Sequence, residues 1–317
     1  MSPDAPSTFE RVQRALGSEY LLERELGGGP VARVFVARET ALDRRVVIKV
    51  LNPDFAAGVS GARFEREIAL AARLQHPHLL PLLSAAVAGS HAYYTMPFVE
   101  GESLRARLRR DGALPIPEIV RLLRELADAL AYAHGEGVMH RDLKPDNVLL
   151  SHGHAIVADF GVAKAIAAAR RFGLVAGVEL TSAGVALGTP AYMAPEQALA
   201  DPTADHRADL YSLGVVAYEL VAGALPFTGR FGRQLVVAHI AEPPPPLAAR
   251  RPEAPAGLVR LVEQLLAKDP AARPQSGAAV MQLLDDATAP PHSDPARGTT
   301  PRPWWSGVVD RLLGRAR

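Results

Sequence analysis

The stretch HRDLKPDN, residues 140–147, places three kinds of functional side chain within eight residues. The carboxylate of Asp142 can accept a hydroxyl proton, the ammonium of Lys144 can neutralise an oxyanion, and the amide of Asn147 can ligand a divalent cation. Pro145 cannot donate a backbone hydrogen bond, and it disfavours helical backbone at the residue before it. The stretch therefore predicts a rigid loop that carries chemistry. The alternative is a solvated turn that follows a helix.

Composition bounds the kind of protein that surrounds this loop. The chain has 317 residues, of which 48% are hydrophobic and 22% charged, and this composition is typical of one large or two small globular domains. The formal charge of +1 predicts no global field for nucleic acid. The chain has no cysteine, which excludes disulfides and thiolate chemistry and fits a reducing cytoplasm. We find neither a secretory signal nor an apolar run long enough to span a membrane, so we expect a cytoplasmic protein without a transmembrane segment.

The first hundred residues predict mostly strands. Residues 1–17 form a polar leader whose helix-like part, residues 9–16, we expect to lie outside the core. Strands are predicted at residues 20–26 and 31–37, joined by a glycine run at residues 27–29. Such a run can lie close over phosphates because no Cβ keeps the backbone away, but a plain β-turn explains it equally well.

A lysine is embedded in the next predicted strand, residues 45–51. Lys49 must find an anion there, either a carboxylate or a ligand phosphate, unless it points to water from an edge strand. The helical pattern of residues 62–74 carries Glu67 beside its apolar stripe, and Glu67 is the natural counter-charge for Lys49. Taken alone, Glu67 would be an ordinary surface carboxylate. Two further strands are predicted at residues 79–87 and 91–99.

The remainder of the chain predicts mostly helices, interrupted by one small hairpin. Helical patterns occupy residues 103–109 and 117–134, and the second is an apolar stripe that would bury against other helices. Strands at residues 148–150 and 155–158 form the hairpin, which ends in Asp159-Phe160-Gly161. A carboxylate at a strand end followed by glycine suits a metal ligand, although this tripeptide is also a common turn.

These motifs together resemble a known family. HRDLKPDN is followed by ADFG at residues 158–161 and by GTPAYMAPE at residues 188–196. This ordered set resembles the catalytic core of protein kinases, most closely the bacterial Ser/Thr kinases of eukaryotic type. The resemblance implies an α+β bilobal fold with a small antiparallel N-lobe sheet, one main N-lobe helix and a larger helical C-lobe. It places the kinase domain at residues 18–286, divided near residue 97.

The resemblance also implies a role for each matching residue. The implied catalytic residues are Asp142 as base, Lys144 on the transferred group, and the ion pair of Lys49 with Glu67, while Asn147 and Asp159 would bind magnesium. The implied structural residues are Asp209, which would brace the catalytic loop, and the buried pair of Glu196 with Arg273. The implied ATP-binding residues are Leu26, Gly27, Gly29, Val34, Val47, Lys49, Met96, Pro97, Val99 and Leu149.

The chain departs from the family pattern in two places. Ala32 stands at the third position of the glycine-rich pattern, which predicts looser coverage of the phosphates. In the activation segment, Ala183 stands at the second position of a bacterial double-threonine site, which leaves Thr181 with Ser182 beside it. Arg141 is the kind of cation that clamps a phosphothreonine. We therefore interpret Thr181, Ser182 and Arg141 as regulatory residues.

The resemblance implies ATP- and magnesium-dependent phosphorylation of Ser and Thr hydroxyls on proteins, including autophosphorylation, which a homodimer would assist. Two alternatives are a catalytically weak pseudokinase that acts as a scaffold and a small-molecule phosphotransferase with the same lobes. We expect no nucleic-acid partner.

The C-terminal residues differ in composition from the rest of the chain. Residues 287–303 are rich in proline, serine and threonine, which is typical of a linker. Residues 304–317 combine two tryptophans and helically spaced aliphatic residues with arginines. This short amphipathic basic tail predicts contact with a membrane surface or a protein, and the alternative is a tail that folds on its own domain or frays.

Overall fold

The computed structural model of the chain describes residues 7–29, 32–52, 68–69, 71–89, 91–160 and 190–288. It divides the chain into one unit of residues 1–287 and a second of residues 288–317. Of the second unit, only Thr288, the last residue of a helix, is described. The tail at residues 304–317 therefore lies outside the described residues and stays a prediction.

The N-terminal lobe is built on a five-stranded antiparallel sheet, as the sequence predicted. Its strand order is β1-β2-β3-β5-β4. Helical backbone is described at residues 68, 69 and 71, within the predicted main helix of this lobe. The strands are β1 (Tyr20–Gly28), β2 (Ala32–Glu39), β3 (Arg44–Leu51), β4 (Ser84–Ala88) and β5 (His91–Pro97).

The helix before β1, α1 (Thr8–Leu16), corrects one expectation. We expected the leader to stay outside the core, but Val12 and Leu16 are buried against the N-lobe sheet. Phe9 packs edge-on to Phe35 of β2, with ring centroids 6.0 Å apart. The reason is the spacing of the apolar residues, which puts Phe9, Val12 and Leu16 on one helical face. The leader is thus part of the lobe.

The C-terminal lobe is mainly helical and carries a small sheet in the order β6-β7-β8. None of the helices among the described residues has the length and apolarity needed to cross a membrane. The small strands are β6 (Glu102–Ser103), β7 (Val148–Ser151) and β8 (His154–Val157). The helices are α2 (Leu104–Asp111), α3 (Ile116–Gly135), α4 (Pro195–Ala198), α5 (Arg207–Ala222), α6 (Gly232–Ala241), α7 (Leu247–Arg250), α8 (Ala256–Leu265) and α9 (Gly277–Thr288).

Helix α5 forms the centre of this lobe, because every residue from Ala208 to Val221 is buried. The close approach of α8 depends on Gly214, where an added Cβ would lie 2.7 Å from the Cβ of Leu265. At the other end of the lobe, α9 runs two residues into the range predicted as linker.

The two lobes meet along the small sheet. The segment that precedes β4 joins the edge of β8, with the Leu80 N–H donating to the Val157 carbonyl at 2.8 Å. The Val157 N–H donates in return to the His78 carbonyl at 2.9 Å. Both bonds hold the N-lobe directly against the strand that leads into Asp159. Backbone hydrogen bonds therefore fix how the two lobes meet beside the cleft between them.

A buried histidine in the helical lobe predicts acid sensitivity. His239 of α6 is 1% exposed and shares a hydrogen bond of 3.0 Å with the Tyr211 hydroxyl. Burial, reinforced by the neighbouring Lys268 ammonium, lowers the pKa of His239 to about 4. The unfolded chain takes up this proton near its ordinary pKa of about 6.5. Stability should therefore fall as pH drops from about 6.5 to 4, by roughly 3 kcal/mol from this residue.

The variant His239→Gln tests this expectation because it keeps a polar group without titrating in that range. Thermal unfolding of wild type and variant at pH 6.5 and pH 4 should show a smaller acid-induced fall in Tm for the variant. The exposed His152→Gln serves as control and should match the wild type. Equal acid sensitivity in all three proteins would refute the assignment.

Candidate active site

The loop of residues 140–147 is held from behind by one buried carboxylate. Asp209, at the start of α5, is 1% exposed. Its Oδ2 accepts the His140 N–H at 2.8 Å and its Oδ1 accepts the Arg141 N–H at 2.7 Å. Arg141 adopts a φ of 69°, a left-handed conformation that is uncommon for residues other than glycine. Asp209 therefore fixes the backbone just ahead of Asp142.

The same carboxylate is bonded by a histidine that sequence analysis missed. His134, near the end of α3, lies 2.8 Å through its Nε2 from Oδ2 of Asp209. Burial alone would raise the pKa of Asp209, but the bonds from His134 and the loop backbone hold that pKa below its usual value. The signal in the sequence was a polar residue at the end of an apolar helix, directly before the loop.

Asp142 lies in the cleft with one carboxylate oxygen occupied. Its Oδ2 accepts Lys144 Nζ at 2.6 Å and Asn147 Nδ2 at 3.2 Å. Among the described residues, no donor bonds Oδ1. Asp142 is therefore oriented by its two loop neighbours while one oxygen is left to accept a proton, as a general base requires.

Asp159 follows β8 and reaches the same cleft. Its Oδ2 accepts Lys49 Nζ at 2.6 Å, and its Oδ1 accepts the Tyr94 hydroxyl at 2.6 Å. Burial would raise the pKa of Asp159, but the Lys49 ammonium and the two hydrogen bonds outweigh it and hold the pKa below the usual value. Asp159 therefore stays ionised near neutral pH.

Backbone contacts join the catalytic loop to the segment that carries Asp159. The Ala158 N–H donates to the Asn147 carbonyl at 2.8 Å. The His140 ring lies 3.0 Å through Nε2 from the Ala158 carbonyl and packs edge-on to Phe160 at 4.8 Å between centroids. The structure thus brings Asp142, Asn147 and Asp159 to one end of the cleft.

The predicted partner of Lys49, Glu67, lies outside the described residues, so that ion pair stays a prediction. Lys49 instead contacts Asp159 directly. This contact places the ammonium beside the Asp159 carboxylate in the cleft, where a phosphate could share it.

The predicted adenine-binding residues lie around the cleft between β3, β5 and β7. Met96 is 5% exposed and belongs to a small apolar cluster against which Val47, Val99 and Leu149 pack. Among the described residues, the Val99 N–H donates no hydrogen bond. It is therefore available to a ligand at the point where the chain passes from the N-lobe to the C-lobe. Val34 lies opposite Lys49 on β2, and Pro97 ends β5. Gly27 and Gly29 lie in and just after β1, whereas Leu26 is 47% exposed at a bulge of that strand.

A divalent cation fits the donors that the cleft presents. The Asn147 amide nitrogen donates to the Asp142 carbonyl at 2.8 Å, which turns its amide oxygen away from the loop. Among the described residues that oxygen accepts no hydrogen bond. The described part of the chain contains no group of three or more His, Cys, Asp or Glu side chains that could hold a metal ion by themselves. One amide oxygen and one carboxylate suit magnesium, which takes its other ligands from water and phosphate.

Below the cleft, a buried ion pair ties two segments of the helical lobe together. The Arg273 guanidinium donates to Glu196 through Nη1 at 2.6 Å and through Nη2 at 2.9 Å. The Arg273 side chain is 0% exposed and that of Glu196 8%. Arg273 also donates to the carbonyls of Ala267, Arg207 and Lys268. The predicted pairing is therefore present, and its arginine holds three backbone carbonyls as well.

The predicted regulatory residues are only partly described. Thr181 and Ser182 lie outside the described residues. Arg141 is exposed, and among the described residues its guanidinium makes no ion pair.

A second buried cluster beside the loop was also missed from sequence. Arg105 of α2 donates to Glu219 of α5 at 2.7 Å and lies 3.3 Å from Asp146. The Tyr192 hydroxyl donates to the same glutamate. The three side chains lie far apart in the chain. Tyr192 belongs to the stretch GTPAYMAPE, but nothing in that stretch pairs it with Arg105 or Glu219, so only the fold could reveal their meeting.

The two lobes and the side chains that meet between them define a fold of the kinase type. A family model described as the protein kinase domain matches residues 20–286. The chain therefore belongs to the protein kinase family.

Several bacterial proteins are similar to the chain. Serine/threonine-protein kinase pkn3 of Myxococcus xanthus is 38% identical over 305 residues, which cover 92% of this chain and 54% of that protein. Serine/threonine-protein kinase PknA of Mycobacterium tuberculosis is 38% identical over 274 residues, covering 84% and 61%. PknB of the same species is 36% identical over 269 residues, covering 83% and 42%. The chain thus spans about half the length of these relatives.

Proposed function

We propose that this chain transfers the γ-phosphoryl group of ATP, with magnesium, to Ser and Thr hydroxyls of proteins in bacterial signalling. The observation that carries the proposal is the convergence of Lys49, Asp142, Asn147 and Asp159 on one cleft, where Oδ1 of Asp142 accepts no hydrogen bond from any described residue. The similarity to named bacterial Ser/Thr kinases supports the choice of acceptor.

Each side chain then has one task. Lys49 would hold phosphate oxygens of ATP, and Asn147 with Asp159 would hold magnesium, which supplies charge neutralisation on the phosphates. Asp142 would accept the proton of the acceptor hydroxyl through its free Oδ1. Lys144, 2.6 Å from Oδ2 of Asp142, would neutralise the oxyanion that forms on the transferred group.

A transfer assay tests the proposal directly. The purified chain is incubated with magnesium, radiolabelled ATP and a generic protein acceptor, and the product is hydrolysed to identify the labelled amino acid. The expected label is on phosphoserine and phosphothreonine. Absence of transfer, after any activating treatment, would instead favour the scaffold alternative.

We further propose that Thr181 is an activating autophosphorylation site. A phosphate there carries nearly two negative charges and would pair with the exposed Arg141, which orders the segment next to the catalytic loop. Mass spectrometry should detect phosphate on Thr181 in active enzyme, and Thr181→Ala should lower the transfer rate more than Ser182→Ala. Fully active enzyme with unmodified Thr181 would rule the site out.

Homodimerisation for autophosphorylation, and contact of residues 304–317 with a membrane surface or a protein, remain predictions of the sequence.

A further inference from the structure

Tyr94 contacts the proposed metal ligand in a way that no sequence motif indicates. Tyr94 of β5 lies directly opposite Lys49 of β3 in the antiparallel register. Directly opposite residues point their side chains to the same face of a sheet. The two side chains therefore reach Asp159 together, and each bonds a different oxygen of its carboxylate at 2.6 Å.

The contact holds the side chain of a residue whose backbone conformation is unusual. Asp159 follows the end of β8 and has a φ of 63°, a backbone conformation that residues other than glycine rarely adopt. Tyr94 is 0% exposed and comes from the other lobe. Its hydroxyl is thus a buried donor, carried by the N-lobe sheet, for a side chain that enters the cleft from the C-lobe.

Tyr94 and Lys49 differ in whether they have partners besides Asp159. Under the proposed function, Lys49 is shared with ATP phosphates, whereas the buried Tyr94 hydroxyl has no other described partner. The phenol is neutral, so it does not repel a cation near Asp159. A carboxylate oxygen has two acceptor sites, so Oδ1 can accept the hydroxyl and still ligand a metal.

From this geometry we propose that Tyr94 is a positioning residue that orients Asp159 for the divalent metal. The inference rests on the proposed assignment of Asp159 as a metal ligand. Hydrogen-bond partners of metal ligands typically change metal affinity 10- to 100-fold when they are removed. Tyr94→Phe, which deletes only the hydroxyl, should therefore weaken metal binding about 10-fold.

The test measures metal binding without turnover. Mn²⁺ is titrated into the full chain saturated with the non-hydrolysable ATP analogue AMP-PNP, and bound ion is followed by electron paramagnetic resonance. Tyr93→Phe is the matched control, since Tyr93 is the adjacent buried tyrosine of the same strand and packs on the opposite face. Tyr94→Phe should need about 10-fold more Mn²⁺ for half-saturation, while Tyr93→Phe should match the wild type.

A second background separates positioning from general destabilisation. If Tyr94 acts through the Asp159 carboxylate, Tyr94→Phe should add no further loss in an Asp159→Asn chain. Equal half-saturation for Tyr94→Phe and Tyr93→Phe would overturn the proposal, as would the same loss in the Asp159→Asn background. If Asp159→Asn itself bound Mn²⁺ like the wild type, the proposed metal site would fail instead. The two failures are therefore distinguishable.

Discussion

Replacing Asp142 with asparagine should lower the rate of phosphoryl transfer by about 10²–10⁴-fold, the usual contribution of a general base. The asparagine keeps the size of the side chain and an oxygen for Lys144, but it cannot take up a proton at the position of Oδ1. Binding of ATP should be unchanged, because the side chain of Asp142 bonds to groups of its own loop and to no other residue of the described part. Single-turnover kinetics with labelled ATP measure the rate, and calorimetric titration with AMP-PNP measures the affinity.

Asp146→Asn is the matched control for this substitution. Asp146 belongs to the same loop, but its side chain is 48% exposed and points to Arg105 at 3.3 Å. Its removal should leave the rate near that of wild type. An Asp142→Asn chain that kept most of its activity would contradict the base assignment and would move attention to another carboxylate of the cleft.

Breaking the Glu196–Arg273 pair should be the most damaging single change to stability described here. Removing one partner of a buried ion pair leaves an uncompensated charge and typically costs 3–5 kcal/mol. For a domain of this size that corresponds to a fall in Tm of about 6–20 °C. Arg273→Ala should cost more than Glu196→Ala, because only the arginine also donates to three backbone carbonyls.

Thermal unfolding of both single variants and of the double variant measures this asymmetry. The double variant should be no less stable than Arg273→Ala, since it removes the orphaned carboxylate too. Arg38→Ala is the control, because the pair of Arg38 with Asp43 is exposed and such pairs contribute little. A shift for Glu196→Ala no larger than that for Arg38→Ala would show that the Glu196–Arg273 pair does not stabilise the lobe.

The sequence predicted most of the fold because its signals are local. Alternation in the N-lobe strands, the apolar stripe of residues 117–134 and the glycines after it each depend on neighbours within a few positions. The exact ends were less certain, since the last turn of a helix depends on context. The prediction that the leader lies outside the core was wrong, because three apolar residues are too few to indicate burial from sequence. Their role becomes clear only from the sheet that they cover.

The sequence singled out Asp142 and Asp159 because the proposed chemistry demands particular residue types there, and the structure brings both to one end of the cleft. The site was not predictable where several residue types serve. Tyr94 reads as one more aromatic residue of a buried strand, and its bond to Asp159 depends on a strand register and on a chain segment 65 positions later. His134 likewise shows its role only once α5 brings Asp209 beneath it.

Helix α1 has a practical meaning for anyone who trims this chain. The matched family model begins at residue 20, yet Phe9, Val12 and Leu16 cover aromatic and aliphatic side chains on the outer face of the N-lobe sheet. A fragment that begins at residue 20 would expose this apolar surface to water and would be expected to self-associate. We therefore expect that a soluble, monomeric fragment must include α1, which lies outside the residues that the family model matches.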